Sequence, residues 1–187
     1  MRRRHLPLPD VWLFTDERLG GLHADDLLWR AIDALPRGGG IVFRHHGLVP
    51  AARRTLALAV SRAARAKGLV LVLADPPAGV ARHGVHNARH RGPGARGLGT
   101  ASAHTARELH AAFRNGADVA FLSPVFATRS HPGAPTLGPL RFGLLARAAR
   151  GPVVPLGGMN PRNARRLNAR RFAAIDHWVS IAARKRT

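Results

Sequence analysis

The sequence contains no cysteine, which excludes disulfide bonds and thiolate metal sites. It has no tyrosine, and aromatic residues make up only 5% of the 187 residues, so a stacking platform for single-stranded nucleic acid is poorly supplied. No apolar run approaches the roughly 20 residues of a membrane-spanning helix. Prolines and Asp10 interrupt the apolar stretch that a signal peptide requires after the basic start. We therefore expect a cytoplasmic protein without a membrane segment.

Acidic residues are scarce: 10 aspartates and glutamates face 30 lysines and arginines, for a formal net charge of +20. Such a charge is typical of nucleic-acid binders. However, Lys67 and Lys185 are the only lysines, and a chain rich in arginine and alanine indicates the coding bias of a GC-rich genome. A small phosphorylated substrate uses the same positive field with fewer charges. We predict small phosphorylated substrates, and not nucleic acid, as the main ligands, and leave the oligomeric state open.

Short apolar runs alternate with segments of helical spacing along the chain. The predicted strands cover 11–14, 41–43, 69–73, 98–102, 117–122, 153–156 and 172–175, with a short unit at 84–87. The predicted helices cover 25–35, 50–66, 105–115, 140–150 and 161–169, and 180–186 is a closing helix or a basic tail. Segment 76–82 has room for a helical turn or two, and 88–96 reads as a glycine- and arginine-rich loop.

Strands this uniformly apolar have no wet face, which indicates a parallel sheet with right-handed crossovers. Eight such units predict closure into a (β/α)8 TIM barrel. We expect a single domain over 1–187 with shortened third and fourth helices, and flexible basic tails at 1–10 and 180–187.

The carboxyl end of nearly every predicted strand carries polar residues or glycine. Because barrels of this kind place their functional groups at these ends, we expect a shared rim made of Asp16, Arg44, His46, Asp75, His86, Ser102, Thr128, Gly157 and Asp176.

The stretch after the sixth strand is the richest in hydrogen-bond donors. Thr128, Arg129, Ser130 and His131 follow Ser123-Pro124-Val125-Phe126. Hydroxyl, guanidinium and imidazole groups suit an anionic, oxygen-rich ligand such as a phosphate. The alternative is a solvated loop rich in turn-forming residues.

Several motifs appear in an order that resembles the thiamine phosphate synthase family, over about positions 11–178. They are Trp12-Leu13-Phe14-Thr15-Asp16, Gly99 to His104, Ser123-Pro124-Val125-Phe126-Ala127-Thr128, and Pro155-Leu156-Gly157-Gly158-Met159-Asn160. The resemblance implies a (β/α)8 barrel that joins a pyrimidine pyrophosphate to a thiazole phosphate with magnesium and releases pyrophosphate. It also implies ionisation of the pyrimidine to a carbocation that the thiazole nitrogen captures.

The resemblance implies a role for each matching residue. Arg44 and Ser102 correspond to groups on the pyrophosphate, and Asp75 to a magnesium ligand. Arg44, Asp75 and Ser102 are the expected catalytic residues. The expected phosphate donors are Thr128, Ser130, Gly157 and Gly158, with His46 and His131 standing where the family usually has lysine.

The chain also departs from the family pattern. An arginine or histidine in segment 86–91 replaces the second magnesium carboxylate, and Asp176 replaces a small residue beside the phosphate. Two alternatives therefore stay open. One is a thiazole tautomerase, although the histidine of that branch would fall at Pro124; the other is a lapsed barrel with a binding or regulatory role.

Histidines are numerous, yet they form no recognisable metal motif. The adjacent pair His45-His46 would point to opposite sides of a strand, and no i, i+4 pair with an acidic partner occurs. We interpret His83, His86, His90 and His104 as solvated or hydrogen-bonded side chains.

Overall fold

The computed structural model describes residues 7–90, 95–129 and 133–184. The strands are β1 (Val11–Phe14), β2 (Gly40–Phe43), β3 (Val70–Ala74), β4 (Gly84–His86), β5 (Leu98–Ala103), β6 (Val119–Leu122), β7 (Val153–Pro155) and β8 (Phe172–Ala174). The helices are α1 (Leu27–Ala34), α2 (Pro50–Lys67), α3 (Ala106–Arg114), α4 (Gly138–Ala148), α5 (Pro161–Arg166) and α6 (Asp176–Arg184), and a short 3₁₀ helix, Glu17–Leu19, follows β1.

All seven strand pairings are parallel, in the order β7-β6-β5-β4-β3-β2-β1-β8. The two strands at the ends of this order, β7 and β8, contact each other. The sheet is therefore a nearly closed barrel with helices between its strands, and the predicted (β/α)8 TIM barrel is confirmed.

Alternate residues of each strand enter two separate cores. Trp12, Phe14 and Phe121 belong to the cluster inside the barrel, whereas Leu13 and Phe43 belong to the larger cluster between the sheet and the helices. Inside, the Phe121 ring meets the Trp12 and Phe14 rings edge-on, with centroids 5.2 and 4.7 Å apart. Burial on both faces explains why the strands read as continuous apolar runs.

Local signals define the helices that support the rim. Pro50 begins α2 without the loss of a hydrogen bond, and Gly68 ends it in the left-handed conformation, with φ +65°. At α3, the Thr105 side chain accepts from the Glu108 amide at 3.2 Å, and the Glu108 carboxylate accepts from the His104 amide at 2.8 Å. This reciprocal cap fixes the chain directly after β5.

The helical turn or two predicted at 76–82, as a shortened third helix, is wrong, whereas the loop predicted at 88–96 in place of the fourth is found in the described parts of that segment. Residues 75–83, between β3 and β4, contain no helix, and none occurs in 87–90 or 95–97, between β4 and β5. Pro76 and Pro77 lack the amide hydrogens that a helix needs, and Gly79 has φ +76°. The barrel therefore lacks two of its usual covering helices along the parts of these connections that the structure describes.

The predicted flexible tail at 180–187 is wrong for residues 180–184. Residues 180–184 belong to α6, so the closing helix, and not a tail, is found there. Residues 1–6 and 185–187 lie outside the described residues, as do 91–94 of the predicted loop. Among the described helices, none combines the length and apolar character needed to cross a bilayer.

Candidate active site

A cavity of about 980 Å³ lies at the carboxyl ends of the strands. Its lining includes five of the predicted site residues: Arg44, Ser102, Thr128, Gly157 and Gly158. These residues follow or end strands β2, β5, β6 and β7, so the barrel brings together positions up to 114 residues apart in sequence (44 to 158). Of the nine expected rim residues, five line this cavity: Arg44, Ser102, Thr128, Gly157 and Asp176.

Arg44 is held rigidly at the end of β2. Its amide donates to the Thr15 hydroxyl at 3.1 Å, and its Nε donates to the Thr15 carbonyl at 3.1 Å. The guanidinium lies 5.4 Å from the centre of the Phe14 ring and 4.0 Å from the Asp16 carboxylate. Burial lowers the pKa of Arg44, but an arginine keeps its charge in proteins. The result is a fixed cation on the cavity wall.

Arg53, on α2, was missed by the sequence analysis. The side chain is 9% exposed. Its guanidinium donates to the carbonyls of Arg44, His45, Ala74 and Asp75. Arg53 thereby ties the end of β2 to the end of β3. Its position three residues before Leu56 and seven before Val60 places it on the buried face of α2, a signal that the sequence analysis did not use.

Asp75 and His46 lie outside the cavity lining. The Asp75 side chain is 85% exposed, and its carboxylate pairs with the His46 imidazole at 3.6 Å. Asp75 has φ +42°, so the chain turns sharply directly after β3. The predicted metal ligand is therefore not among the residues that line the cavity with Arg44 and Ser102.

Magnesium has no ready protein site among the described residues. They contain no group of three histidine or carboxylate side chains that could hold a metal ion, and Asp75 is paired with His46. Mg²⁺ is usually held by one or two carboxylates together with substrate phosphates and water. A single exposed carboxylate does not fit a metal site made by the protein alone, and we derive no chemical step from a metal.

His86 positions Ser102 from inside the barrel. The imidazole is 2% exposed and hydrogen-bonded to the Thr100 hydroxyl at 2.7 Å and the Ser102 hydroxyl at 3.1 Å. Burial, followed by the charges of Arg44 and His46, lowers the pKa of His86 to about 3. His86 is therefore neutral at pH 7.

Asn87 fixes the backbone of Ser102. Its side-chain oxygen accepts from the Ser102 amide at 2.7 Å. Asn87 has φ +53° and lines the cavity. The sequence analysis treated this segment only as the place of a missing carboxylate, although an asparagine directly after a strand is a signal for this turn.

The loop after β6 follows the strand that pairs with β5, the strand of Ser102. Its cis peptide joins Ser123 to Pro124, and His104 Nδ1 donates to the Ser123 carbonyl at 2.9 Å. Thr128 and Arg129 line the cavity. The predicted phosphate donors Ser130 and His131 lie outside the described residues.

Glycine is required at 157 and 158 by close packing against this loop. A Cβ on Gly157 would lie 2.7 Å from Pro124 Cα, and one on Gly158 would lie 2.4 Å from the Ala127 carbonyl oxygen. Their φ angles are +87° and +61°, which L side chains rarely adopt. Both residues expose backbone rather than side chain to the cavity.

An ionic cluster lies at the β1–β8 side of the cavity. The Arg18 guanidinium donates to Asp16 at 2.7 Å and to Asp176 at 3.2 Å. The Asp16 and Asp176 carboxylates raise the pKa of Arg18. The sequence analysis placed both aspartates on the rim but did not identify Arg18, whose only signal is a position two residues after Asp16.

The fold and this cavity define a class of protein: a (β/α)8 barrel with a polar, arginine-lined cavity at the carboxyl ends of its strands. The family model described as thiamine monophosphate synthase matches residues 12–177. The chain belongs to that family, as the sequence resemblance indicated.

Solved structures agree with the fold. A thiamine phosphate pyrophosphorylase from Pyrococcus furiosus has a TM-score of 0.70 at 20% identity, covering 96% of this chain and 94% of that one. A native KDPGal structure has a TM-score of 0.57 at 14% identity, covering 94% of each chain. FabK from Thermotoga maritima has a TM-score of 0.59 at 15% identity, covering 92% of this chain and 60% of that one. No curated protein matches the chain.

Proposed function

We propose that this protein couples hydroxymethylpyrimidine pyrophosphate to thiazole phosphate, giving thiamine phosphate and pyrophosphate. Membership of the thiamine monophosphate synthase family supports this assignment. The observation that carries it is one cavity lined by Arg44 and Ser102 together with Thr128, Gly157 and Gly158. Two anionic groups of two substrates need two such sets of donors.

The reaction forms one bond and breaks one bond. The carbon–oxygen bond between the pyrimidine methylene and pyrophosphate breaks, and its electron pair leaves with pyrophosphate. The thiazole nitrogen donates its lone pair to the same methylene carbon. No proton transfer is needed, so the role of the protein is to align the reactants and stabilise the charge that develops on the leaving group.

Arg44 is the residue we assign to the leaving pyrophosphate. Its guanidinium is fixed by the Thr15 carbonyl and the Phe14 ring, so it needs little reorganisation as charge develops. Ser102, held by His86 and Asn87, adds a hydroxyl donor to the same cavity. Magnesium stays a prediction: pyrophosphate would supply most of its ligands, and the protein adds one exposed carboxylate at Asp75.

The assay combines the protein, both substrates and Mg²⁺, and measures thiamine phosphate and pyrophosphate by chromatography. We expect equal amounts of the two products from the wild-type protein. Arg44→Ala should lower kcat by about 100-fold or more, since it removes a fixed charge from the leaving group.

Arg62→Ala is the matched control, because Arg62 is an exposed arginine on α2 and its loss should leave kcat unchanged. Absence of both products from a wild-type protein that melts cooperatively would contradict the proposed function. Equal losses for the two variants would contradict the role of Arg44.

A further inference from the structure

A carboxylate belonging to the protein lies among donors that would suit a bound phosphate. Asp176 lines the cavity together with Thr128, Gly157 and Gly158. Its Oδ2 accepts from the Thr128 hydroxyl and from the Arg129 amide, each at 3.4 Å. Its Oδ1 accepts from the Arg18 guanidinium at 3.2 Å.

These three donors are of different chemical kinds and come from two distant parts of the chain. A hydroxyl, a backbone amide and a guanidinium are the groups that proteins use to hold phosphate oxygens. Here they converge on the carboxylate of Asp176. Asp176 begins α6, just after the end of β8, and this position in the barrel places its negative charge at this end of the cavity.

Two of the arginines at this end of the cavity are already paired with carboxylates, and a third arginine, Arg129, lines the cavity. Arg18 is shared between Asp16 and Asp176, and Arg44 lies 4.0 Å from Asp16. Arg18 and Arg44 are therefore already engaged by these two carboxylates. A phosphate ester that enters here meets donors already engaged by a carboxylate, and it must either displace that carboxylate or bind beside a like charge.

We propose that Asp176 is a specificity-determining residue: an internal anion that competes with the phosphate of the acceptor substrate for the Thr128 hydroxyl, the Arg129 amide and the Arg18 guanidinium. The identity of the acceptor as a thiazole rests on the proposed function. The competition itself rests on the contacts of Asp176.

The competition lowers affinity for a phosphate ester while leaving affinity for the corresponding alcohol intact. An uncharged hydroxyl is not repelled by Asp176, and it can donate a hydrogen bond to the carboxylate. A phosphate meets the repulsion of a like charge at contact distance, which corresponds to about a tenfold loss of affinity even at the dielectric of water. Asp176 thus reduces the ratio of the affinity of this subsite for the phosphate ester to its affinity for the alcohol.

The test is isothermal titration calorimetry of the full chain without the pyrimidine substrate. Wild type, Asp176→Asn and Asp176→Glu are each titrated with thiazole phosphate, with the thiazole alcohol and with inorganic phosphate. Asn keeps the shape of the side chain and removes its charge, whereas Glu keeps the charge. Asp33→Asn is the control for net charge, because Asp33 is exposed near the end of α1 and pairs with Lys67, away from the cavity.

We expect Asp176→Asn to bind thiazole phosphate and inorganic phosphate at least about tenfold more tightly than wild type, with the alcohol changed by less than about twofold. Asp176→Glu and Asp33→Asn should stay close to wild type. The proposal would be overturned if Asp176→Asn bound phosphate no more tightly than wild type. It would also be overturned if Asp33→Asn showed the same increase in phosphate affinity as Asp176→Asn.

These measurements separate this proposal from the proposed function. Tighter binding of inorganic phosphate by Asp176→Asn supports the role of Asp176 as an internal anion even if no thiamine phosphate is ever formed. Conversely, turnover by the wild type with no gain in Asp176→Asn overturns the internal anion and leaves the proposed function standing.

Discussion

At the scale of single residues, His86 is the most strongly perturbed ionisable group that the described residues contain. It is sealed between the Phe14 and Phe121 rings, with centroids 5.5 and 6.0 Å from its own. Both of its ring nitrogens are hydrogen-bonded to hydroxyl groups, so the neutral imidazole has a partner for each nitrogen. A proton added to this ring would place a charge in the apolar barrel interior beside Arg44.

This burial predicts a loss of stability in acid. Below pH 6.5 the unfolded chain binds a proton at His86, whereas the folded protein does not until about pH 3. The unfolded state then binds more protons, so the free energy of unfolding falls as pH decreases through this window, by about 3 kcal/mol at pH 4. His86→Gln should be less stable at pH 7, but its deficit should shrink by about that amount at pH 4.

Urea denaturation at pH 7 and pH 4 measures the effect. Burial also lowers the pKa of His45 and His177. These two histidines therefore add the same acid sensitivity to the wild type and to His86→Gln. For this reason the comparison uses the difference in the free energy of unfolding between the wild type and the variant. His110→Gln, at an exposed position of α3, is the control variant. A deficit of His86→Gln that stays constant between the two pH values would refute the assignment.

At the scale of elements, β4 is one of three three-residue strands in the described barrel wall, with β7 and β8. It is bordered by connections without helices in their described parts. A Cβ added at Gly84 would lie 2.0 Å from the Leu98 carbonyl oxygen and 2.7 Å from its carbon. Because these atoms belong to the paired strand β5, the contact cannot be relieved by a side-chain rotation.

Gly84→Ala is therefore expected to destabilise the fold by about 3 kcal/mol or more, through overpacking against backbone. Gly143→Ala makes the matched comparison, since Gly143 lies within α4 and has nothing within 4 Å of an added Cβ. That change should stabilise the fold by about 0.5–1 kcal/mol, because alanine restricts the unfolded chain and favours helix. Chemical denaturation of the two variants should give shifts of opposite sign; shifts of the same sign would contradict this account.

At the scale of the whole molecule, the excess of positive charge dominates the electrostatics. The net charge is +20, whereas the described ion pairs are mostly solvent-exposed, such as Arg170 with Asp10. Exposed pairs contribute about 0–1 kcal/mol each. Repulsion among the unmatched arginines should therefore exceed the attraction of these pairs, and folding concentrates that repulsion on one small surface.

Salt should stabilise the protein. We expect Tm to rise by about 3 °C, equivalent to roughly 1 kcal/mol for a chain of this size, between 20 and 500 mM sodium chloride, because screening weakens the repulsion. Choline chloride should give a similar rise if the effect is screening and not cation binding. A fall in Tm with both salts would show that ion pairs outweigh repulsion.

The order and type of the strands were readable from the sequence, because burial on both faces leaves continuous apolar runs that only a parallel, helix-covered sheet accommodates. The polar ends of those runs predicted which residues approach the cavity, and Arg44, Ser102, Thr128, Gly157 and Gly158 do line it. Connection length did not reveal whether a helix forms, as the helix-free segment 75–83 shows.

The direction of each rim side chain was decided by tertiary structure alone. Asp75 and Asp176 both follow barrel strands, yet the first points to solvent and the second into the cavity. The spacing of Arg53 places it on the buried face of α2, but the carbonyls that it binds come from two loops that only the folded barrel brings to it. The spacing of apolar residues in a sequence indicates whether a segment is a strand or a helix and which of its residues are buried. The orientation of a side chain beyond the last strand residue depends on backbone turns and on partners from distant segments, which only the closed barrel brings together.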